Sequence, residues 1–168
     1  APLTYRLPKP HTPESYAKFA LDALEAKIQE LGPNSVLAFT MEPVGGLATG
    51  CTVPLPAYFE GIREICSRHG IFLIFDEVLC GTGRTGKFLN AHYYPDALPD
   101  IVVMAKGLGS GYAPLGATLF PAHLVDHLST LTGFGFSHTY NANPITCATG
   151  LAVLDEYERL NLIDNAAA

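Results

Sequence analysis

Charged residues are scarce in this sequence, and long uninterrupted apolar runs are missing. Only 15% of the 168 residues are charged, with 10 Lys and Arg against 16 Asp and Glu, which gives a net charge of −6. A chain without a dense basic cluster is a poor partner for nucleic acid. The longest apolar runs, such as residues 71–75 and 101–105, are too short to span a bilayer, and no signal-peptide pattern begins the chain. We therefore expect a cytoplasmic protein that binds neither nucleic acid nor membrane.

Metal-binding and disulfide patterns are also missing. The four cysteines, Cys51, Cys66, Cys80 and Cys147, show no C-x-x-C spacing, which argues against a zinc site and against a disulfide framework. Of the six histidines only His123 and His127 are four residues apart, and they are not part of an H-E-x-x-H pattern, so we expect no metal. Residues 81–86 match G-x-G-x-x-G, but they do not follow a predicted strand directly and no predicted helix begins at them, so a nucleotide-binding domain is disfavoured.

What the chain does contain is enough apolar sequence for a core, with 48% hydrophobic residues. Its length suits one domain or a piece of a larger one. The apolar periodicity and the Gly and Pro breaks predict helices over residues 14–31, 56–69, 122–130 and 144–160, and strands over residues 35–41, 71–75, 101–105 and 117–120. Strands that alternate with helices indicate an α/β domain.

Two of the predicted strands end in a charged residue. Residues 71–75 and 101–105 are continuously apolar, which predicts strands buried on both faces, and Asp76 and Lys106 follow them directly. Each residue alone has an ordinary structural explanation, as a turn former or a surface lysine. Together they are of interest because ligands of open α/β sheets collect at the carboxyl ends of strands. The glycines after Lys106, at positions 107, 109 and 111, allow a planar or anionic ligand to approach the backbone.

A lysine and a carboxylate are the pair that pyridoxal phosphate (PLP) chemistry requires. The lysine amine forms a Schiff base with the cofactor aldehyde, and the carboxylate keeps the pyridine nitrogen protonated as an electron sink. A phosphate cup of hydroxyls and backbone N–H groups is also needed, and Ser137, Thr139 and the turn of residues 107–111 are candidate donors.

Several motifs over residues 35–160 occur in an order and spacing that resemble one family, the class III PLP-dependent aminotransferases of fold type I. Because the motifs are independent of one another, the resemblance is more specific than a lone Gly-rich loop. They are Glu42-Pro43-Val44 followed by glycines, Phe75-Asp76-Glu77-Val78 continuing into Gly81-Thr82-Gly83-Arg84-Thr85-Gly86, Asp100 through Lys106-Gly107-Leu108-Gly109, Pro114-Leu115-Gly116-Ala117, and Ser137-His138-Thr139-Tyr140 with Asn143-Pro144.

The resemblance implies a role for each of four residues. Lys106 would be the Schiff-base lysine and the proton shuttle, and Asp76 would pair with the pyridinium nitrogen of pyridoxal 5'-phosphate. Val78 would pack on one face of the cofactor ring, although a plain core position is an equal alternative. Thr139 would contact the cofactor phosphate of the neighbouring subunit, so the resemblance implies a homodimer with shared active sites.

The resemblance also implies a fold and a reaction. The fold would be a three-layer α/β/α large domain, present here in incomplete form over residues 1–160, with residues 161–168 beginning the link to a small C-terminal domain. The reaction would transfer an amino group between an amine or ω-amino acid and a 2-oxo acid. The family's main phosphate-binding loop lies upstream of this segment, so we expect the chain alone to bind PLP weakly and to transaminate negligibly.

Some residues keep open roles. Glu42 is either close to the substrate channel or a local hydrogen-bonding group. Arg84 could clamp a substrate carboxylate, but the motif favours a structural position in its loop. Ser110 stands where the family often has glycine, and Leu47 stands near a position that is acidic in some members.

Two other kinds of function remain open on this sequence. A PLP-dependent aminomutase or decarboxylase would use the same lysine and aspartate. A non-catalytic remnant would instead act through an exposed apolar face that associates with a full-length partner.

Overall fold

The fold is given by a computed structural model that describes residues 7–131, 133, 135 and 138–168. These residues form a four-stranded sheet and five α-helices. The strands are β1 (Ala38–Met41), β2 (Phe72–Asp76), β3 (Ile101–Met104) and β4 (Ala117–Leu119), and the helices are α1 (Pro13–Leu31), α2 (Pro56–His69), α3 (Ala122–Leu131), α4 (Pro144–Arg159) and α5 (Leu162–Ala167).

Helix α1 begins at a capping box. The Thr12 hydroxyl accepts a hydrogen bond from the Ser15 backbone N–H at 3.3 Å, and the Ser15 hydroxyl oxygen accepts one from the Thr12 N–H at 2.8 Å. Pro13 follows at the first helical position, where its missing N–H costs nothing. The helix ends at Gly32, whose φ of 84° places it in a region that favours glycine.

Helix α2 supplies the main core. One face of it is buried through Tyr58, Phe59, Ile62, Ile65 and Cys66, which recur at helical spacing. The Phe59 ring stacks on Tyr94 at 3.8 Å between centroids and meets Phe75 of β2 edge to face at 5.8 Å. Helix α2 therefore joins the sheet to the irregular segment that follows β2.

The sheet has the order β1-β2-β3-β4 and is mixed. Strands β1, β2 and β3 run parallel, whereas β4 runs antiparallel to β3. Phe75 pairs with Val102, so the buried side chains of β2 and β3 share one face. The other face, which carries Ile74 and Val103, is only half-buried. Burial of residues 71–75 on both faces, expected from their continuous apolarity, is therefore wrong for the described residues. The half-buried face is where the third layer of a three-layer fold would pack.

The α/β architecture predicted from the sequence is confirmed, with small differences at element ends. Strand β1 begins at Ala38 rather than at residue 35, because residues 33–35 form a short 3₁₀ helix in which the Ser35 N–H donates to the Gly32 carbonyl at 2.9 Å. Helix α5 lies in a segment for which the sequence indicated no element. No helix among the described residues has the length and apolar character needed to cross a membrane.

Candidate active site

Asp76 and Lys106 lie at the carboxyl ends of neighbouring parallel strands. Asp76 is the last residue of β2 and pairs with Val103 of β3. Strand β3 ends at Met104, and Lys106 follows two residues later. The Glu77 N–H donates to the Val103 carbonyl at 2.8 Å, which holds the two strand ends together just past Asp76. The fold thus brings these two predicted site residues to the same edge of the sheet.

The carboxylate of Asp76 is oriented by its own turn. Its Oδ1 accepts a hydrogen bond from the Val78 N–H at 3.0 Å, an arrangement typical of a short Asx turn. Among the described residues Oδ2 accepts no hydrogen bond, so one carboxylate oxygen is available to a ligand. Val78, predicted to pack on a ligand ring, is half-buried and lies directly beside the carboxylate through this bond.

Lys106 lies in a backbone conformation that is uncommon for a side-chain-bearing residue. Its φ is 43°, in the left-handed region that costs most residues on the order of 1–3 kcal/mol and that is frequent at functional sites. It begins a 3₁₀ turn in which the Gly109 N–H donates to the Lys106 carbonyl at 3.2 Å. The side chain is exposed, and within the described part of the chain its ammonium forms no ion pair.

A buried glutamate, which the sequence shows only as part of a motif, lies next to Asp76. Glu77 is 1% exposed, and its two carboxylate oxygens accept hydrogen bonds from the N–H groups of Asn90 at 2.6 Å and Ala91 at 2.7 Å. Burial raises the pKa of Glu77, while these two N–H groups and His92 act in the opposite direction. Glu77 thus ties the segment after β2 back to the strand end.

A cleft of about 480 Å³ opens at the carboxyl ends of β1 and β2. Asp76 lies in its wall together with Glu42. The Glu42 carboxylate accepts a hydrogen bond from the Gly46 N–H at 2.9 Å, so the local hydrogen-bonding role considered for Glu42 is present. The remaining lining residues are Phe39, Thr40, Met41, Gly45, Thr49 and Thr52.

Of the other predicted phosphate donors, Thr139 lies within the described residues and is not joined to Asp76 or Lys106. Thr139 is exposed in a turn of residues 139–142 before α4, and among the described residues no hydrogen bond joins it to either of them. Ser137 lies outside the described residues. Arg84 is exposed within the loop that follows β2, where its N–H donates to the Gly81 carbonyl at 3.4 Å.

The cysteines are divided between buried and exposed positions. Burial raises the pKa of the Cys66 thiol and of the Cys80 thiol to about 11 each, so both remain protonated and unreactive at neutral pH. Cys51 and Cys147 are exposed. Within the described ranges, no group of three or more His, Cys, Asp or Glu side chains could hold a metal ion.

Comparison with known proteins identifies the architecture. The chain superposes with a TM-score of 0.89 on an amine transaminase from an uncultivated Pseudomonas species, solved in its PLP-bound form, with 40% sequence identity. The superposition covers 98% of this chain and 38% of that one. The fold is therefore that of part of a PLP-dependent transaminase of fold type I.

Sequence comparison assigns the family. A profile of the class-III aminotransferases matches residues 1–168, and the chain belongs to that family. It is 37% identical over 155 residues to the uncharacterized aminotransferase YodT of Bacillus subtilis, covering 92% of this chain and 34% of that protein. It is 40% identical over 140 residues to the putrescine–pyruvate aminotransferase of Pseudomonas aeruginosa, covering 83% of this chain and 30% of the relative. The chain thus spans about a third of the length of these relatives.

Proposed function

We propose that the whole protein is a PLP-dependent aminotransferase that transfers an amino group from an amine or ω-amino acid to a 2-oxo acid. The observation that carries the proposal is the position of Asp76 and Lys106 at the carboxyl ends of two hydrogen-bonded parallel strands. Similarity to a putrescine–pyruvate aminotransferase and to an amine transaminase supports amines as donors and a 2-oxo acid as acceptor.

The side chains at the strand ends fit this cofactor chemically. PLP, when bound, supplies an aldehyde that reacts with amines and a pyridinium ring that accepts electron density. Asp76 would hold a proton on the ring nitrogen through its available oxygen, and Val78 would contact one face of the ring. Lys106 would hold the cofactor through its exposed amine, remove the proton from the substrate Cα and return it.

The same proposal includes the assembly and the domains. Residues 1–160 would be part of the PLP-binding large domain, and residues 161–168 would begin the link to a small C-terminal domain. Thr139 would reach the cofactor phosphate of a second subunit, which makes the functional unit a homodimer. We also propose that the protein is cytoplasmic. The exposure of Thr139 is what a contact with another subunit requires.

The test uses the whole protein in three forms: wild type, Lys106→Ala, and Lys27→Ala as a matched control on the exposed surface of α1. We expect the wild type and Lys27→Ala to show the visible absorbance of lysine-bound PLP and equal transaminase turnover. Lys106→Ala should lose the absorbance band and at least about 10³-fold in turnover, since covalent catalysis and proton transfer are both removed. Retention of both properties in Lys106→Ala would exclude the proposed role.

A further inference from the structure

Tyr157 of α4 lies between the two loops that begin at the ends of β2 and β3. We name residues 81–86 the glycine loop, which follows Asp76, and residues 106–110 the lysine turn. Tyr157 is half-buried and projects from the last part of α4. Tyr157 connects the two loops through the packing of its ring, and no charge is involved.

On the side of the lysine turn, Tyr157 contacts Gly107. The Tyr157 hydroxyl donates a long hydrogen bond to the Gly107 carbonyl at 3.4 Å. The same carbonyl accepts from the Ser110 N–H at 3.1 Å and from the Ser110 hydroxyl at 3.0 Å. A methyl group built on Gly107 would lie 3.5 Å from the Tyr157 hydroxyl oxygen and 3.1 Å from Cβ of Thr82. The turn next to Lys106 is therefore packed directly against Tyr157 and against the glycine loop.

On the side of the glycine loop, the Tyr157 ring contacts Gly83. A methyl group on Gly83 would lie 3.2 Å from Cε1 of Tyr157, which is tighter than ordinary van der Waals contact. Gly83 has a φ of 81°, and its neighbour Thr82 is buried with a φ of 53°. Cγ1 of Ile163 in α5 lies closer still, at 2.9 Å from the same methyl position, so the Tyr157 ring and Ile163 together pack against this loop.

Helix α4 is itself fixed relative to β3. Leu154 packs against the cluster of Val102, Met104 and Leu108, and Tyr157 is three residues further along the helix, on the same side of it. The position of the Tyr157 ring is therefore fixed relative to β3, the strand that ends just before Lys106. A strained backbone such as that of Lys106 persists only where its surroundings hold it.

We propose that Tyr157 is a positioning residue that fixes the lysine turn relative to the glycine loop, and so fixes Lys106 relative to Asp76. This inference rests on the proposed function for its catalytic meaning. The physical coupling of the two loops is a property of the protein without cofactor. Most of the effect belongs to the ring, because the hydrogen bond of the hydroxyl is long.

The first test measures amide hydrogen exchange in the whole protein without PLP, using Tyr157→Leu and Tyr157→Phe. The reporter amides are those of Ser110, bonded to the Gly107 carbonyl, and Gly83, bonded to the Phe88 carbonyl. Tyr157→Leu should accelerate exchange at both reporters roughly tenfold, and Tyr157→Phe by no more than about threefold. Exchange at Ile71, bonded to the Cys66 carbonyl in the main core, should not change. Tyr16→Leu on α1 is the matched control and should leave Ser110 and Gly83 unaffected.

Two results would overturn the inference. One is acceleration at only one of the two reporters or at neither, which would mean that Tyr157 does not couple the loops. The other is an equal acceleration at Ile71, which would mean that the substitution weakens the whole fold and has no particular effect at the site.

The second test adds PLP and titrates the visible band of the lysine-bound cofactor with pH. Tyr157→Leu should shift the midpoint, and Tyr157→Phe should keep it close to wild type, because a change in the position of the lysine alters its electrostatic surroundings. An unchanged midpoint in Tyr157→Leu, with the band still lost in Lys106→Ala, would contradict the positioning role while the proposed function stands. A band retained in Lys106→Ala would instead contradict the proposed function, and the exchange result would then decide the coupling alone.

Discussion

The first 100 residues and the last 68 differ in how they are packed. The main core cluster lies within residues 7–100, where Phe59, Leu73 and Phe75 are fully buried. In residues 101–168 a smaller cluster contains Val102, Met104 and Leu108 as its buried members. Helix α3 has no buried residue, and large apolar side chains in this second region are exposed, among them Tyr112, Leu131, Tyr140, Ile145 and Leu151.

This difference matters for the candidate site because its two proposed residues, Asp76 and Lys106, come from different regions. Asp76 ends the strand that contains the fully buried Leu73 and Phe75, whereas Lys106 begins a turn in the weakly packed region. Apolar surface of the kind seen in the second region is typical of faces that other chain covers in a working protein. The position of Asp76 is thus set by a core, whereas that of Lys106 depends on a few loop contacts and on the end of β3.

The largest expected difference between the regions is in the cost of removing a large side chain. Phe59→Ala leaves a cavity beside Phe75 and Tyr94, so we expect a loss of about 3–5 kcal/mol in the free energy of unfolding. Leu151→Ala, on the exposed face of α4, should cost less than about 1 kcal/mol. Denaturant unfolding of the chain of residues 1–168, in which Leu151 is exposed, measures both. Equal losses at the two positions would mean that the second region is as well packed as the first.

A smaller effect is expected at Glu77, which ties the segment after β2 to the strand end. Glu77→Gln places an amide N–H₂ group against one of the two backbone N–H donors. We therefore expect a loss of about 1–2 kcal/mol in the free energy of unfolding. Unfolding at neutral pH measures it, with Glu60→Gln on the exposed side of α2 as the control. No loss relative to that control would show that the two short hydrogen bonds contribute nothing.

The pH dependence of the Glu77 contribution has a definite sign. Since burial raises the pKa of Glu77, the folded state binds the proton more tightly than the unfolded state does. The stability that wild type has over Glu77→Gln should be largest below the unfolded pKa of about 4.3 and should decrease as the pH rises through the raised folded value. A difference that instead grows with pH would mean that the two N–H bonds outweigh burial.

The smallest expected effect concerns the helix caps of the two regions. Asn143 caps α4 through its side-chain oxygen, which accepts from the N–H groups of Ile145 at 3.0 Å and Thr146 at 3.2 Å. Asn143→Ala and Thr12→Ala should each cost about 1 kcal/mol locally. Hydrogen exchange should show faster exchange confined to the first turn of α4 for Asn143→Ala, because that turn is exposed. Faster hydrogen exchange throughout the chain in Asn143→Ala would indicate that α4 is as strongly coupled to the core as α1.

The sequence predicted the element order well because helices and strands begin and end at residues with a local effect on the backbone. Pro56 and Gly70 mark the bounds of α2 through a fixed φ and a left-handed cap, and the predicted range of residues 56–69 is the range observed. The prediction that both faces of β2 are buried was wrong. A continuously apolar strand can be buried on both faces, but its sequence does not show whether other elements cover both. Helix α5 was missed because its six residues follow Asn161 and carry no clear apolar period.

The candidate site was only partly predictable for a different reason. Charged residues at the ends of apolar strands identified Asp76 and Lys106 because strand ends are visible in the sequence. The roles of Glu77 and Tyr157 depend on contacts with residues 13 and 50 positions away, Asn90 and Gly107, and no local pattern reports such contacts. The Asp-Glu pair at the strand end was the available signal for Glu77, since two adjacent acidic residues at a buried strand end need specific partners.

The most direct test of the central claim is to locate the lysine that binds PLP. The whole protein is incubated with PLP, reduced with borohydride to make the linkage permanent, digested, and mapped by mass spectrometry. We expect to find the cofactor on the peptide that contains Lys106, and we expect Asp76→Asn to weaken its binding without moving it. Modification of any other lysine in place of Lys106 would exclude Lys106 as the lysine that binds PLP.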